Sequence, residues 1–211
     1  AYDDLMRDGN DAVSLDYNDT LADADYIVYR DRDGVWHSMP GVTGTVVTIA
    51  QHPITKEIYI GGAFVNAGGD ADADYLAKWN GSAWEAVVAG FGLFVWKLEF
   101  DSSGNLYIGG DFTDVGDANG DKIVMWDGSS LHSLGTGLND SCRAIAFDSS
   151  GNVYAAGLFT SAGGVANTNR VAKWDGSNWS ALSTGLSNNI YDMIIDKNDN
   201  IYVAISDSAG V

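Results

Sequence analysis

Residues 105–113 read NLYIGGDFT, and the phrase returns as EIYIGGAFV at 57–65, as NVYAAGLFT at 152–160 and, decayed, as NIYVAISDS at 200–208. The tyrosines in register are Tyr59, Tyr107, Tyr154 and Tyr202, so the steps are 48, 47 and 48 residues. A fixed period of roughly 40–50 residues in a chain of short strands is the sequence mark of propeller blades. A scaffold of that kind hosts unrelated functions, so the period speaks for fold and not for activity.

Working outward from the phrase, one unit lays out as four strands. Strand A is the apolar run 42–50, with later copies at 94–100, 142–147 and 190–195. A tight connection follows, spelled DSSGN at Asp101 and Asp148 and DKNDN at Asp196. Asp, Ser, Gly and Asn form such turns because they tolerate positive φ or bond their own backbone. Strand B is the opening phrase. Strand C is YLAKW at Tyr75, KIVMW at Lys122 and RVAKW at Arg170, and a short turn leads to strand D with Trp84, Leu131 or Trp179.

The repeat is entered halfway through a unit. ADADYIVYRDRDGVW from Ala22 aligns with ADADYLAKWNGSAW from Ala71, so a C and a D strand precede three whole units, and an A and a B strand follow them. The expectation is an all-β chain, a β-propeller of four-stranded blades over residues 25–211. About four blades result if the N-terminal C/D strands close on the C-terminal A/B strands, which removes exposed edges. The alternatives are a portion of a longer propeller or a half that pairs with another chain. Residues 1–24 read as a lead-in strand or tether.

Composition narrows the partners. The chain of 211 residues is 45% hydrophobic, with 26 Gly and only 2 Pro, which suits a turn-rich core and excludes disorder. A formal charge of −18 excludes nucleic acid or an anionic membrane as long-range partners. No run of ~18 apolar residues is present for membrane insertion. The single cysteine, Cys142, lies in an apolar strand and reads as a small core residue.

The order aromatic–apolar–Gly-Gly-x-Phe, a loop, then a Trp and a second Trp five residues on (Trp79/Trp84, Trp174/Trp179) resembles the kelch-type propeller repeat. It is also similar to the GGxFxxAGG…VAxWDGxxW repeats of bacterial surface proteins and bacteriophage tail or fibre proteins. That resemblance implies a structural or binding role in an extracellular or virion setting. Other structural proteins or surface glycans are then the partners, with a homo-oligomer or larger assembly as the context. Leu131 and the pair Ala204-Ile205 depart from the pattern.

Chemistry-bearing candidates are few. The pairs Gly61-Gly62 and Gly109-Gly110 lack the GxxxxGK[ST] context of a phosphate loop and read as strand glycines. The recurrent tryptophans read as packing between sheets. The B–C loops carry Asp70/Asp72/Asp74 and Asp117/Asn119/Asp121, a D-x-[DN]-x-D spacing. Two readings stand: oxygen ligands converging on Ca²⁺, or aspartates that cap turns. His37, His52 and His132 read as unrepeated surface residues, and no nucleophile motif or CxxC is present. The expectation is therefore a non-enzyme, with a Ca²⁺-dependent lectin as runner-up and a polysaccharide-active enzyme as a third reading. Strand order puts the D–A and B–C loops on one face, where Phe94, Trp96, Arg143, Asn189 and Tyr191 at the starts of A strands form the candidate ligand-binding set.

Overall fold

The computed structural model describes residues 27–39 and 41–206. The lead-in segment 1–24 lies outside the described residues. So do residues 25–26, Pro40 and residues 207–211.

One aspartate shapes each of the last three A–B turns, while in the first His52 Nδ1 accepts the backbone N–H groups of Ile54 and Thr55, both at 3.1 Å. Asp101 Oδ1 accepts the backbone N–H groups of Ser103 and Asn105, both at 2.9 Å, and its Oδ2 takes the Asn105 amide at 2.7 Å. Asp148 repeats the arrangement with Ser150 and Asn152, and Asp196 repeats it with Asn198 and Asn200. In the last copy Asp199 stands at φ 61 where the Asp101 and Asp148 turns have Gly104 and Gly151; Asp is among the residues that tolerate that region. The C–D turns use the same device at Asn80, Asp127 and Asp175, whose Oδ1 atoms each accept two backbone N–H groups.

These turns fold the repeat into antiparallel meanders. Strands β1 (Val28–Arg30) and β2 (Trp36–Ser38) pair as a hairpin. The first whole sheet is β3 (Thr43–Gln51), β4 (Ile58–Val65), β5 (Leu76–Trp79) and β6 (Trp84–Ala86). The second is β7 (Val95–Phe100), β8 (Leu106–Gly110), β9 (Ile123–Trp126) and β10 (Leu131–Ser133). The third is β11 (Cys142–Phe147), β12 (Val153–Gly157), β13 (Val171–Trp174) and β14 (Trp179–Ala181). Strands β15 (Ile190–Ile195) and β16 (Ile201–Ile205) pair last. The expected A-B-C-D layout is present, with two half-units at the ends. Among the described residues β1–β2 and β15–β16 remain separate two-stranded sheets, so no closed ring of sheets is formed.

The core lies between sheets. Leu76 and Tyr59 of the first sheet meet Val95, Leu98 and Ile108 of the second. Ile123 of the second meets Cys142, Ile145, Ala155 and Trp179 of the third. The expected tryptophan packing is found: Trp84 and Trp179 are buried, and each donates its indole N–H backwards, to Met39 O at 3.4 Å and Leu134 O at 2.7 Å. Burial holds Cys142 as a thiol, pushed up to about 12.

The two glycines of the phrase have separate jobs. A Cβ at Gly109 would lie 2.9 Å from Cys142 Sγ, so the first glycine admits the next sheet. A Cβ at Gly62, Gly110 or Gly157 would overlap the carbonyl of Thr45, Phe94 or Ser141 in the paired A strand. The second glycine thus admits an irregularity in strand A.

Asp148 gives a pH signature. Burial raises its pKa, but the Asn152 side chain and backbone, Lys173 and Ser150 outweigh that and hold it at about 2. A lowered carboxylate stabilises the fold fully above its unfolded value, ~3.9, and that contribution is lost as pH falls through the folded value. Asp148→Asn is therefore expected to cost on the order of 2 kcal/mol at pH 7, with the gap to wild type closing between pH 4 and 2 in thermal melts. A gap independent of pH in that window would contradict the assignment.

Candidate functional site

Every A strand carries a bulge at the same place. The register with strand B shifts between Val46 and Thr48, Val95 and Lys97, Cys142 and Ala144, and Ile190 and Asp192. The extra residues are Val47, Trp96, Arg143 and Tyr191. A bulge leaves one residue out of the ladder and re-aims its side chain. Three of the five expected ligand residues are therefore bulge residues.

Two of those bulge residues meet across the second and third sheets. Trp96 stacks on Phe94 with centroids 4.4 Å apart and planes 7° from parallel. The Arg143 guanidinium lies over the other partner of this pair, its carbon 3.7 Å from the centroid of the Trp96 ring. Asp111, the residue after β8, fixes the indole. Its Oδ2 accepts from Trp96 Nε1 at 2.8 Å, and its Oδ1 accepts from Ser141 Oγ. Lys122 Nζ donates to the Asp111 carbonyl at 2.8 Å. Arg143 Nε is buried without a hydrogen-bond partner. Among the described residues its guanidinium forms no ion pair, although the chain carries a net charge of −18. A planar cation on an aromatic face, with donors uncommitted, recognises a carboxylate or another flat anion.

Asn189 and Tyr191 stand one sheet further on. Tyr191 is exposed, and the Asn189 carbonyl accepts from Ser206 N at 3.0 Å. The geometry joins Phe94, Trp96 and Arg143 and leaves these two apart from the stack. Asp111 and Ser141 were not singled out as ligand-site residues from sequence. Their signal is positional: each flanks a strand end beside a bulge. The D–A and B–C loops do share one side of the structure, through Leu138 N to Asp121 O at 3.1 Å and Gly163 N to Gly137 O at 2.9 Å.

The acidic triplets on that side do not converge. Asp70 accepts from Asp72 N and Ala86 N, both at 3.0 Å, and these bonds lower its pKa. Asp74 accepts from Asn66 N at 2.8 Å. Asp117 accepts from Asn119 N at 2.7 Å and Ser133 Oγ at 3.1 Å, and Asp121 accepts from Asp114 N at 3.1 Å. Each of these aspartates is spent on a local N–H or on a tie to strand D. Among the described residues no three His, Cys, Asp or Glu side chains are grouped to hold a metal ion. Of the two readings, the turn-capping one describes what these carboxylates do.

On the opposite side, His37 and His132 occupy equivalent positions, each one residue into strand D and bonded to the turn aspartate, Asp31 at 2.8 Å and Asp127 at 2.7 Å. This corrects the expectation that no histidine repeats; the longer turn after Arg30 and the Leu131 substitution hide the register. His132 is the largest cause holding Asp127 well below the usual carboxylate range. A cleft of about 560 Å³ opens there between the first two sheets, lined by His52, Tyr59, Lys78 and Phe100. Its one cation, Lys78, is already paired with Glu57 at 3.6 Å and Glu85 at 3.2 Å.

No family model and no curated protein sequence matches the chain. Solved structures do. Virginiamycin B lyase from Staphylococcus aureus aligns at TM-score 0.55 and 10% identity, over 85% of this chain and 56% of that one. The gluconolactonase XC5397 from Xanthomonas campestris aligns at TM-score 0.55 and 11% identity, over 85% and 62%. The extracellular domain of BT4673 from B. thetaiotaomicron aligns at TM-score 0.51 and 16% identity, over 76% of this chain but only 20% of that one. These are propeller proteins. The fold is a β-propeller. At such identities the likeness speaks for the fold alone, and the sheets described above are its blades. No helix among the described residues is long and apolar enough to cross a membrane.

Because Asp70, Asp74, Asp117 and Asp121 each accept a backbone N–H, EGTA is expected to leave the melting temperature unchanged, whereas Asp117→Ala lowers it. A melting temperature that falls on chelation and recovers with Ca²⁺ would overturn this.

Proposed function

We propose that this chain is a non-enzymatic binding propeller, a docking platform or adhesin module of an extracellular surface protein or a virion such as a phage tail or fibre. The repeat is read as kelch-like. The reading rests on one observation: Arg143 lies over the Trp96–Phe94 stack, and among the described residues its guanidinium has no ion-pair partner and its buried Nε no hydrogen bond. Asp111 and Ser141 brace the stack from two blades, so it is pre-formed before a ligand arrives. Pre-organisation of that kind lowers the ordering cost of binding. His37 and His132 sit on the other side of the blades, held by turn aspartates, and do not face the stack.

The ligand chemistry is a carboxylate next to a flat apolar face. An acidic glycan supplies both on one sugar ring, which is the lectin form of this reading. A partner protein supplies them on an acidic peptide with an aromatic neighbour; among the similar propellers, YCF48 is bound to a peptide (TM-score 0.52, 15% identity, 83% of this chain and 53% of that one). The extracellular domain among the similar structures and the acidity of the chain both fit an exterior setting.

An array of uronate-bearing and neutral glycans, with acidic peptides as a parallel arm, tests this directly. Binding to one carboxylate-bearing class is expected, with at least a tenfold loss in Arg143→Ala and in Trp96→Ala, since a desolvated cation–π pair and its anion carry about 2 kcal/mol or more. Equal binding of neutral and acidic ligands, or no change in the variants, would count against it.

A further inference from the structure

The repeat supplies its own comparison for the cleft between the first two sheets. In each whole blade one row of residues crosses strands B, C and D. It reads Tyr59, Lys78 and Glu85 in the first blade, Tyr107, Met125 and His132 in the second, and Tyr154, Lys173 and Ser180 in the third. In the third blade the turn aspartate closes the row: Asp148 Oδ2 accepts from Tyr154 Oη at 3.2 Å and lies 3.3 Å from Lys173 Nζ. Asp196 accepts from Tyr202 Oη at 3.4 Å. In the second, Met125 takes the place of the lysine and packs with Tyr107 on the core. The first blade has His52 where the others have the turn aspartate. Its Nδ1 is taken by the Ile54 and Thr55 N–H groups, and a Cβ at Gly104 would lie 2.8 Å from its Nε2, so the ring is turned away from Tyr59 and packed on the next blade.

That replacement leaves a buried polar group over open space. Tyr59 is 6% exposed, and among the described residues its hydroxyl has no hydrogen-bond partner. The oxygen is not sealed in, because Arg143 Nε is the one enclosed side-chain polar atom without a partner among the described residues. It opens into the cleft of about 560 Å³ that Tyr59 lines. Burial, and then the Glu57 charge, raises its pKa, so it stays a hydroxyl that both donates and accepts. Without the aspartate, Lys78 turns to Glu57 at 3.6 Å and Glu85 at 3.2 Å. Thr55 Oγ1 donates to the other oxygen of Glu57, and Asn80 Nδ2 to the other oxygen of Glu85. A carboxylate has about four lone-pair sites, so both keep acceptor capacity. Phe100 and Trp126 of the second blade stand among the lining residues.

The volume is that of a small-ligand site, and the lining selects one charge. An anion would meet Glu57, Glu85 and Asp127 against a single lysine that is already paired, inside the field of a chain at −18. An apolar group would leave the Tyr59 hydroxyl desolvated and unbonded. A cationic head brings the donors that these acceptors lack, and an apolar stem behind it lies along the aromatic rings. We propose that the cleft binds an organic cation, a primary ammonium or guanidinium on an apolar stem, with Glu57, Glu85 and the Tyr59 hydroxyl accepting from its head. The lysine or arginine of a basic peptide and a free diamine both present that chemistry. The site lies on the opposite side of the blades from the Trp96–Arg143 stack and takes the opposite charge, so it does not depend on the reading of that stack.

Calorimetric titration of the 211-residue chain with cadaverine and with acetyl-Ala-Lys-Ala-amide tests this, the norleucine peptide of the same shape being the neutral control. Binding of at least one amine, and not of the norleucine peptide, is expected; cadaverine alone identifies a free amine as the source, and the lysine peptide a protein partner. Tyr59→Phe keeps the ring against Phe100 and removes only the hydroxyl, and is expected to weaken binding about threefold or more, and Glu85→Gln about tenfold or more. Lys78→Met removes the competing cation and is expected to tighten it. Amine binding that all three variants leave unchanged is diffuse attraction to an acidic surface and overturns the proposal. Equal binding of the norleucine peptide, or no binding of either amine at millimolar concentration, overturns it too.

Discussion

The whole arrangement depends on a carbonyl packed where a side chain would otherwise be. In each whole blade the second residue of the Gly-Gly pair, or Gly157 in its place, lies against a strand-A carbonyl so closely that a Cβ does not fit. In the three whole blades that contact makes room for the bulge, and the bulge decides what strand A presents. Without it Trp96 and Arg143 would fall into ordinary alternation, and no stack would form between two blades. In the whole blades, then, the space that strand B leaves and the side chain that strand A presents go together.

The last half-blade shows the constraint by exception. Ala204-Ile205 replaces the glycine pair, yet the register still shifts between Ile190 and Asp192. Ala at the first position is tolerated because Ala156 already stands there in the third blade, packed against Ile190. Ile205 is exposed, on a strand whose outer edge has no partner among the described residues. Relaxed sequence and missing neighbour occur at the same place.

Much of the fold was legible because a period places equivalent residues without any knowledge of contacts. The Tyr59, Tyr107, Tyr154 and Tyr202 register placed strands B and C, and the Asp101 and Asp148 turns ended strand A within a residue of its observed limit. The bulges were not legible, since Val47, Trp96, Arg143 and Tyr191 share no side-chain chemistry. Phe94, Trp96 and Arg143 were reached through the shared face of the loops, but their stacking and the roles of Asp111 and Ser141 needed coordinates. The aspartate triplets were ambiguous for a physical reason: alternating Asp and Asn serve equally as cation ligands and as acceptors for N–H groups two residues on. Only the observed acceptor bonds separate the two uses.

The contact that carries this account is open to one comparison. Gly110 and Gly92 both lie outside the positive-φ region, but a Cβ at Gly110 meets the Phe94 carbonyl whereas one at Gly92 meets nothing within 4 Å. Urea unfolding of Gly110→Ala and Gly92→Ala therefore separates the crowding at Gly110, by the Phe94 carbonyl and the Phe112 ring, from backbone freedom. The predicted result is a loss of about 1–3 kcal/mol for Gly110→Ala, as for an overpacked core, and little change or a slight gain for Gly92→Ala. Equal stabilities for the two variants would contradict the bulge-on-glycine contact as the constraint that organises the blades.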